Sequence, residues 1–172
     1  MPTIQHQTEA DRISGVNVPS GIPAGMHLFE IEAVCEQDAN LVLGRVREVL
    51  KILVSQDPNK WPTNDQWRSL LPEWFVQACA EEPTKEETEA WLAEWRKLGP
   101  IQQAEAIENV RWSMEQFVYW FQPSERQWWW WAAEIQDIHR LRIILLGEER
   151  NPAHEVLNWL LKAAGASRIM GA

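Results

Sequence analysis

Hydrophobic positions along this chain change period several times, and each change predicts an element. From Leu28 to Cys35, Phe29, Ile31, Ala33 and Cys35 alternate with Leu28, Glu30, Glu32 and Val34, which suits a strand with one buried face. A helix here would put Leu28, Ile31 and Cys35 on one stripe but bring Asp38 onto it. The strand is preferred because a hairpin further along needs a third strand to be stable. Asp38 can cap a helix from about Ala39 to Ser55, with Leu43, Val46, Val49, Leu50 and Leu53 inside, ended by Asp57-Pro58. Residues 61–80 read as two short helical pieces: Thr63 with Gln66 makes a capping box, and Pro72 opens a turn carrying Trp74, Phe75 and Val76.

Thr84 and Glu87 repeat that box ahead of a helix ending near Leu98, with Trp91, Trp95 and Leu98 on one face. Gly99-Pro100 stops it and starts the next. From Ile101 to Phe121, Ile101, Ala104, Ile107, Val110, Met114, Phe117, Val118 and Phe121 keep a helical period, while Trp112, Tyr119 and Trp120 widen the apolar sector. This predicts one long helix lying centrally. Trp128 to Ile135 and Leu141 to Leu146 are dense in aromatic and β-branched residues and predict a hairpin joined by Gln136 to Arg140. Asn151-Pro152 then opens a last helix with Val156, Leu157, Leu160 and Leu161 inside, closed by Gly165. Ahead of all these, Gly15, Pro19, Ser20, Gly21, Pro23 and Gly25 break up residues 1–27, which are expected to be extended or poorly ordered. The fold class predicted is α+β: a mostly helical single domain over residues 28–172, with a small antiparallel sheet made of the C-terminal β-hairpin and the N-terminal strand.

A chain of 172 residues buries enough surface to fold without a covalent staple. Cys35 and Cys79 match no metal or redox spacing and are expected as reduced thiols. The net charge of −9 argues against nucleic acid and against an anionic membrane surface as partners. No apolar run approaches the ~20 residues a membrane span needs, and no secretory signal pattern opens the chain, so a cytoplasmic protein is expected. The acid is uneven. Between Glu73 and Glu94 seven glutamates stand against the single Lys85, a balance of 7 − 1, or six negative charges. This is either a solvated helix face or a docking surface for a basic partner.

Twelve tryptophans set the second candidate. In a strand, Trp128 and Trp130 point one way and Trp129 and Trp131 the other. One pair packs on helices; the other is covered from elsewhere or forms an exposed aromatic interaction face. The candidate interaction surface is therefore Trp128, Trp129, Trp130 and Trp131 with Glu81, Glu82, Glu86 and Glu87. His139, Glu134 and Asp137 at the hairpin turn lack an identifiable fourth ligand, so no metal is assigned. Arg140, Arg142 and Arg150 form a basic island that either complements the Glu73–Glu94 stretch within the fold, the preferred reading, or clamps an anion. His154 is placed in the first turn of the last helix, where the dipole disfavours its charged form. No nucleophile elbow, P-loop or dinucleotide fingerprint occurs, which leaves no catalytic residue and no cofactor to name.

The C-terminal third, from Arg126-Gln-Trp-Trp-Trp-Trp-Ala-Ala to Leu157-Asn-Trp-Leu-Leu-Lys-Ala-Ala-Gly-Ala, resembles small bacterial proteins, some of which accompany polymorphic toxins as immunity partners. The resemblance implies a protein-binding role and carries over no functional residue. Three functions follow: an acidic, tryptophan-rich protein-binding module, an immunity-type inhibitor being one form of it; a small-molecule binder or enzyme with a tryptophan-lined pocket; or a subunit that hides its aromatic face in a homo-oligomer.

Overall fold

The structure, a computed structural model, describes residues 6–16 and 21–171, with side chains of the first helix from Glu9 onward. Among these residues are eight helices and one four-stranded antiparallel sheet, an α+β domain. The sheet has β1 (His27–Cys35), β2 (Trp128–Asp137), β3 (Arg140–Gly147) and β4 (Ala166–Gly171) in the order β2-β3-β1-β4. On its inner face Phe29 lies opposite Leu145, Ile31 opposite Ile143 and Ala33 opposite Leu141, all buried. The alternating period of β1 thus becomes one wall of the core.

The helices cover that wall. Asp38 caps α2 (Ala39–Val54) through a bond from the Asn40 N–H, and Val42, Leu43, Val46, Val49, Leu50 and Leu53 face inward. Beside it lies α8 (Glu155–Ala164), with Val156, Leu157, Leu160, Leu161 and Ala164 buried. Gly165 ends α8 at a φ of 122°, a conformation an L side chain would strain, and turns the chain into β4. The short helices α3 (Asn64–Leu70) and α4 (Glu73–Ala78) set Trp67 and Phe75 into the same core. Both predicted capping boxes form, Thr63 with Gln66 and Thr84 with Glu87.

Four expectations are corrected. Within the segment expected to be extended or poorly ordered, His6–Ser14 is a helix, α1. Its buried side chains include Glu9 and Arg12 beside Ile13, so an apolar period never appears in its sequence. The parts of 1–27 at residues 1–5 and 17–20 lie outside the described residues. The long helix over Ile101–Phe121 is two: α6 (Pro100–Asn109) and α7 (Met114–Tyr119). Ser113 breaks it by capping the Gln116 N–H while the Gln116 side chain returns to the Ser113 N–H. Nor is the first piece central, since α6 buries no residue. The last helix opens at Glu155, with His154 at its cap, rather than at Pro152. Pro152 instead packs where β3 ends: a Cβ added to Gly147 would lie 2.9 Å from the proline ring. Finally, β4 is a strand the alternation does not announce; Ser167 and Arg168 are exposed on this edge.

The β2 edge is closed by α1. The N–H of Trp130 donates to the Glu9 carboxylate at 2.7 Å, and the Trp130 carbonyl accepts from Arg12 Nε at 3.1 Å. Glu9 also receives both arms of Arg126, at 2.9 and 2.5 Å, and Arg126 Nε donates to the Trp128 carbonyl. Side chains thus occupy the backbone positions another strand would use. The pair is nearly dry, with Glu9 1% and the Arg126 side chain 8% exposed. Removing one member leaves a buried charge, so Glu9→Ala is expected to cost about 3–5 kcal/mol of stability in denaturant unfolding. Glu9→Leu with Arg126→Met should recover part of that loss. A single-variant cost below ~1 kcal/mol would show that the edge does not depend on this carboxylate.

Candidate functional site

Three of the four consecutive tryptophans, Trp128, Trp130 and Trp131, are buried. Trp128 and Trp130 face the main core at 2% and 0% exposure. A β-bulge follows, with Trp130 opposite Leu145 and Ala132 opposite Ile144, so Trp131 is the extra residue. Trp131, 7% exposed, packs with Met26 and Leu146 on the other face of the sheet, where Trp129 and Ala132 are half-buried. The Arg12 guanidinium lies 5.2 Å from the Trp131 ring centre. Of the two readings, a covered pair or an exposed aromatic face, Trp131 follows the first, covered by Arg12 of α1, Met26 and Leu146, while Trp129 stays half-buried.

The basic island also finds partners other than those expected. Arg142 pairs with Glu30 and Glu134, and Arg140 with Asp137 and Glu32, all within the sheet rather than with the Glu73–Glu94 stretch. The hairpin-turn residues serve local geometry: Asp137 accepts the His139 N–H, and the His139 ring meets the Cys35 carbonyl. Among the described residues no three His, Cys, Asp or Glu side chains gather so as to hold a metal ion. Both cysteines are free thiols. Burial pushes the Cys79 thiol up to about 12 even though Arg111 and Arg68 pull the other way, which leaves it a poor nucleophile at neutral pH.

What the fold does present is an arm. Between Ala80 and Trp112 the chain leaves the body as α5 (Lys85–Trp95) and α6, and neither helix buries a residue. Its root is clamped: the Ala80 N–H donates to the Trp112 carbonyl at 2.9 Å, and Arg111 donates to the carbonyls of Ala78 and Cys79. The two helices hold each other through Trp95 Nε1 to the Gln103 carbonyl and Gln103 Nε2 to the Trp95 carbonyl. Trp91 stacks on Trp95, with centroids 6.2 Å apart, and stays 41% exposed; Ile101 is 76% exposed. Glu81, Glu82, Glu86 and Glu87 are all exposed on this arm. One of them, Glu87, has a local task as well, accepting the Thr84 N–H at 2.9 Å. From residue 81 to 109 eight carboxylates stand against Lys85, Arg96 and Lys97, so 8 − 3 places five of the nine net negative charges here.

Where the arm's second helix lies beside α8, it leaves a cleft. Glu108 pairs with Lys162 across it at 3.4 Å. Two adjoining pockets of about 200 and 250 Å³ share Ile107, Trp112 and Glu155 in their walls. Trp120, Trp128, Glu125, Gln127, Ala153 and Val156 complete the first; Trp159, Asn158 and Lys162 belong to the second. The Asn158 amide oxygen is buried there with no hydrogen-bond partner. Beside the first pocket, the Glu125 carboxylate raises the pKa of the Tyr119 phenol. Sequence reasoning flagged Trp112 and Trp120 only as the widened sector of one helix.

Two outcomes follow from this geometry. Replacing residues 82–110 with a short Gly-Ser linker should leave one cooperative thermal transition with Tm within about 5 °C of the parent, because no residue of the arm's two helices is fully buried and its ends already meet; a molten, non-cooperative trace would contradict that. Alkylation of Cys79 at pH 8 should run about a thousandfold slower in the folded protein than in guanidinium, as its raised pKa keeps it protonated.

Comparison of the chain with protein-family models, with curated proteins and with solved structures gives no match.

Proposed function

We propose that this is a protein-binding module that presents the α5–α6 arm to a basic protein partner. The observation that carries this reading is that two helices bury no side chain in their own domain yet carry exposed Trp91 and Ile101 among clustered glutamates. A free helical pair of this length has no packing reason to keep those residues, whereas an interface uses aromatic anchors inside a charged rim. Carboxylates on a projecting arm also raise the encounter rate with a cationic surface. An immunity-type inhibitor of a toxin is one form of such a module, in line with the resemblance of the C-terminal third.

The test pairs capture with kinetics. The tagged protein should retain a basic partner from its host, and that partner should elute as salt is raised. Changing Glu81, Glu82 and Glu86 to Lys together with Glu87→Gln, which keeps the capping bond, should slow association at least about tenfold at low salt and flatten its salt dependence. Unchanged association would sink the proposal. Sedimentation as a monomer at micromolar concentration would remove the alternative in which a second copy covers Trp91 and Ile101.

A further inference from the structure

The cleft at the root of the arm has a composition that selects its occupant. Its first pocket is walled by Trp112, Trp120 and Trp128, with Ile107 and Val156 closing it, and its charged lining residues are Glu125 and Glu155. No Lys, Arg or His lines it. Arg126, behind the wall, sits 5.5 Å from the Trp128 ring centre and is paired with Glu9, and Lys162 of the adjoining pocket is paired with Glu108. An anionic ligand would meet two carboxylates there with no counter-charge. A neutral apolar ligand would use the indole walls but gain nothing from the carboxylates, of which Glu125 is already bonded by the Ser124 hydroxyl and the Tyr119 phenol. An organic cation satisfies both features, because indole faces attract a positive charge through the ring quadrupole and the carboxylates add a direct Coulomb attraction.

We propose that this pocket binds an alkylated ammonium group, the head of a choline-like small molecule or of a methylated lysine side chain. A strongly hydrated metal ion is a poorer fit, since two carboxylates, one of them already bonded by the Ser124 hydroxyl, supply too few oxygens to replace its lost water, whereas indole faces suit a weakly hydrated alkylated ammonium. The volumes, about 200 and 250 Å³ for the two adjoining pockets, are at the low end for ligand sites and exclude a nucleotide-sized cofactor. Beyond the head group, the second pocket continues the cleft along Trp159 and the Glu108–Lys162 pair. The proposal does not rest on the arm's outer surface binding a protein, and each can fail without the other.

Titration followed by tryptophan fluorescence and by indole N–H signals in NMR tests it on the full chain. The probes are choline, its uncharged carbon isostere 3,3-dimethylbutan-1-ol, and Nα-acetyl-trimethyllysine methylamide. At least one of the two cations should bind about tenfold or more tightly than the isostere. Trp120→Ala, at a position 39% exposed, and Glu155→Gln, also exposed, should each weaken the cation about three- to tenfold while leaving the thermal transition in place. The ratio between choline and the lysine analogue tells a free small molecule from a protein side chain. Failure of both cations to bind more tightly than the isostere would overturn the proposal, as would no response to either cation at tens of millimolar.

Discussion

The position of the Glu9 carboxylate holds one side of this fold together. β2 is an edge strand, and the outward N–H and carbonyl of Trp130 would otherwise be open to another chain. Arg126 would be a nearly buried cation without a counter-charge, and Arg12 would lose its neighbour on the helix. Because Glu9 takes the Arg126 fork and the Trp130 N–H together, α1 is fixed in both register and orientation against the sheet. The same placement drops Ile13 into the main core and lays Arg12 over Trp131. Removing an ion pair from water is costly on its own terms. What this one contributes is specificity: an edge that accepts one helix and no other strand.

This also explains what could and could not be read from the residues in order. β1, α2, the hairpin and α8 were legible because their buried positions are apolar and follow the period of the element. The two capping boxes gave helix starts to the residue. α1 was illegible for the opposite reason: its inward face is polar, and the partners that make it tolerable lie far along the chain at Arg126 and Trp130. The break between α6 and α7 was written in Ser113 and Gln116, a capping box with the same spacing as the two that were read, but it lay inside an unbroken apolar period. Of the candidate site, the acidic stretch was visible as composition. The cleft was not, since Ile107, Trp112, Trp120, Glu125, Trp128 and Glu155 keep no common spacing and converge only when the arm folds back beside α8.

The tryptophans divide by task. Trp67, Trp128 and Trp130 fill the interior, and Trp159 packs edge-on against Phe75. Trp74 is a bridge, its Nε1 donating to Glu48 and its face lying under Arg45. Trp91 and Trp95 belong to the arm, and Trp112 and Trp120 line the cleft it shields. A large, flat apolar residue suits all four settings, and its N–H finds a partner at Trp74 and Trp95 but not at Trp67 or Trp130, so a high tryptophan content alone does not say which surface is functional.

The strand order sets how this protein must come together in time. β1 is central, yet both its neighbours arrive late: His27 pairs with Gly147, about 120 positions on, and Ala33 with Ile169. During synthesis the first strand therefore emerges with its apolar face unpaired and waits through six helices for a partner. Loop closure over such separations is slow, so the nascent chain is exposed to wrong pairings for most of its elongation. Local helices such as α2, which need nothing distant, are the natural temporary shelter for that strand until the hairpin appears.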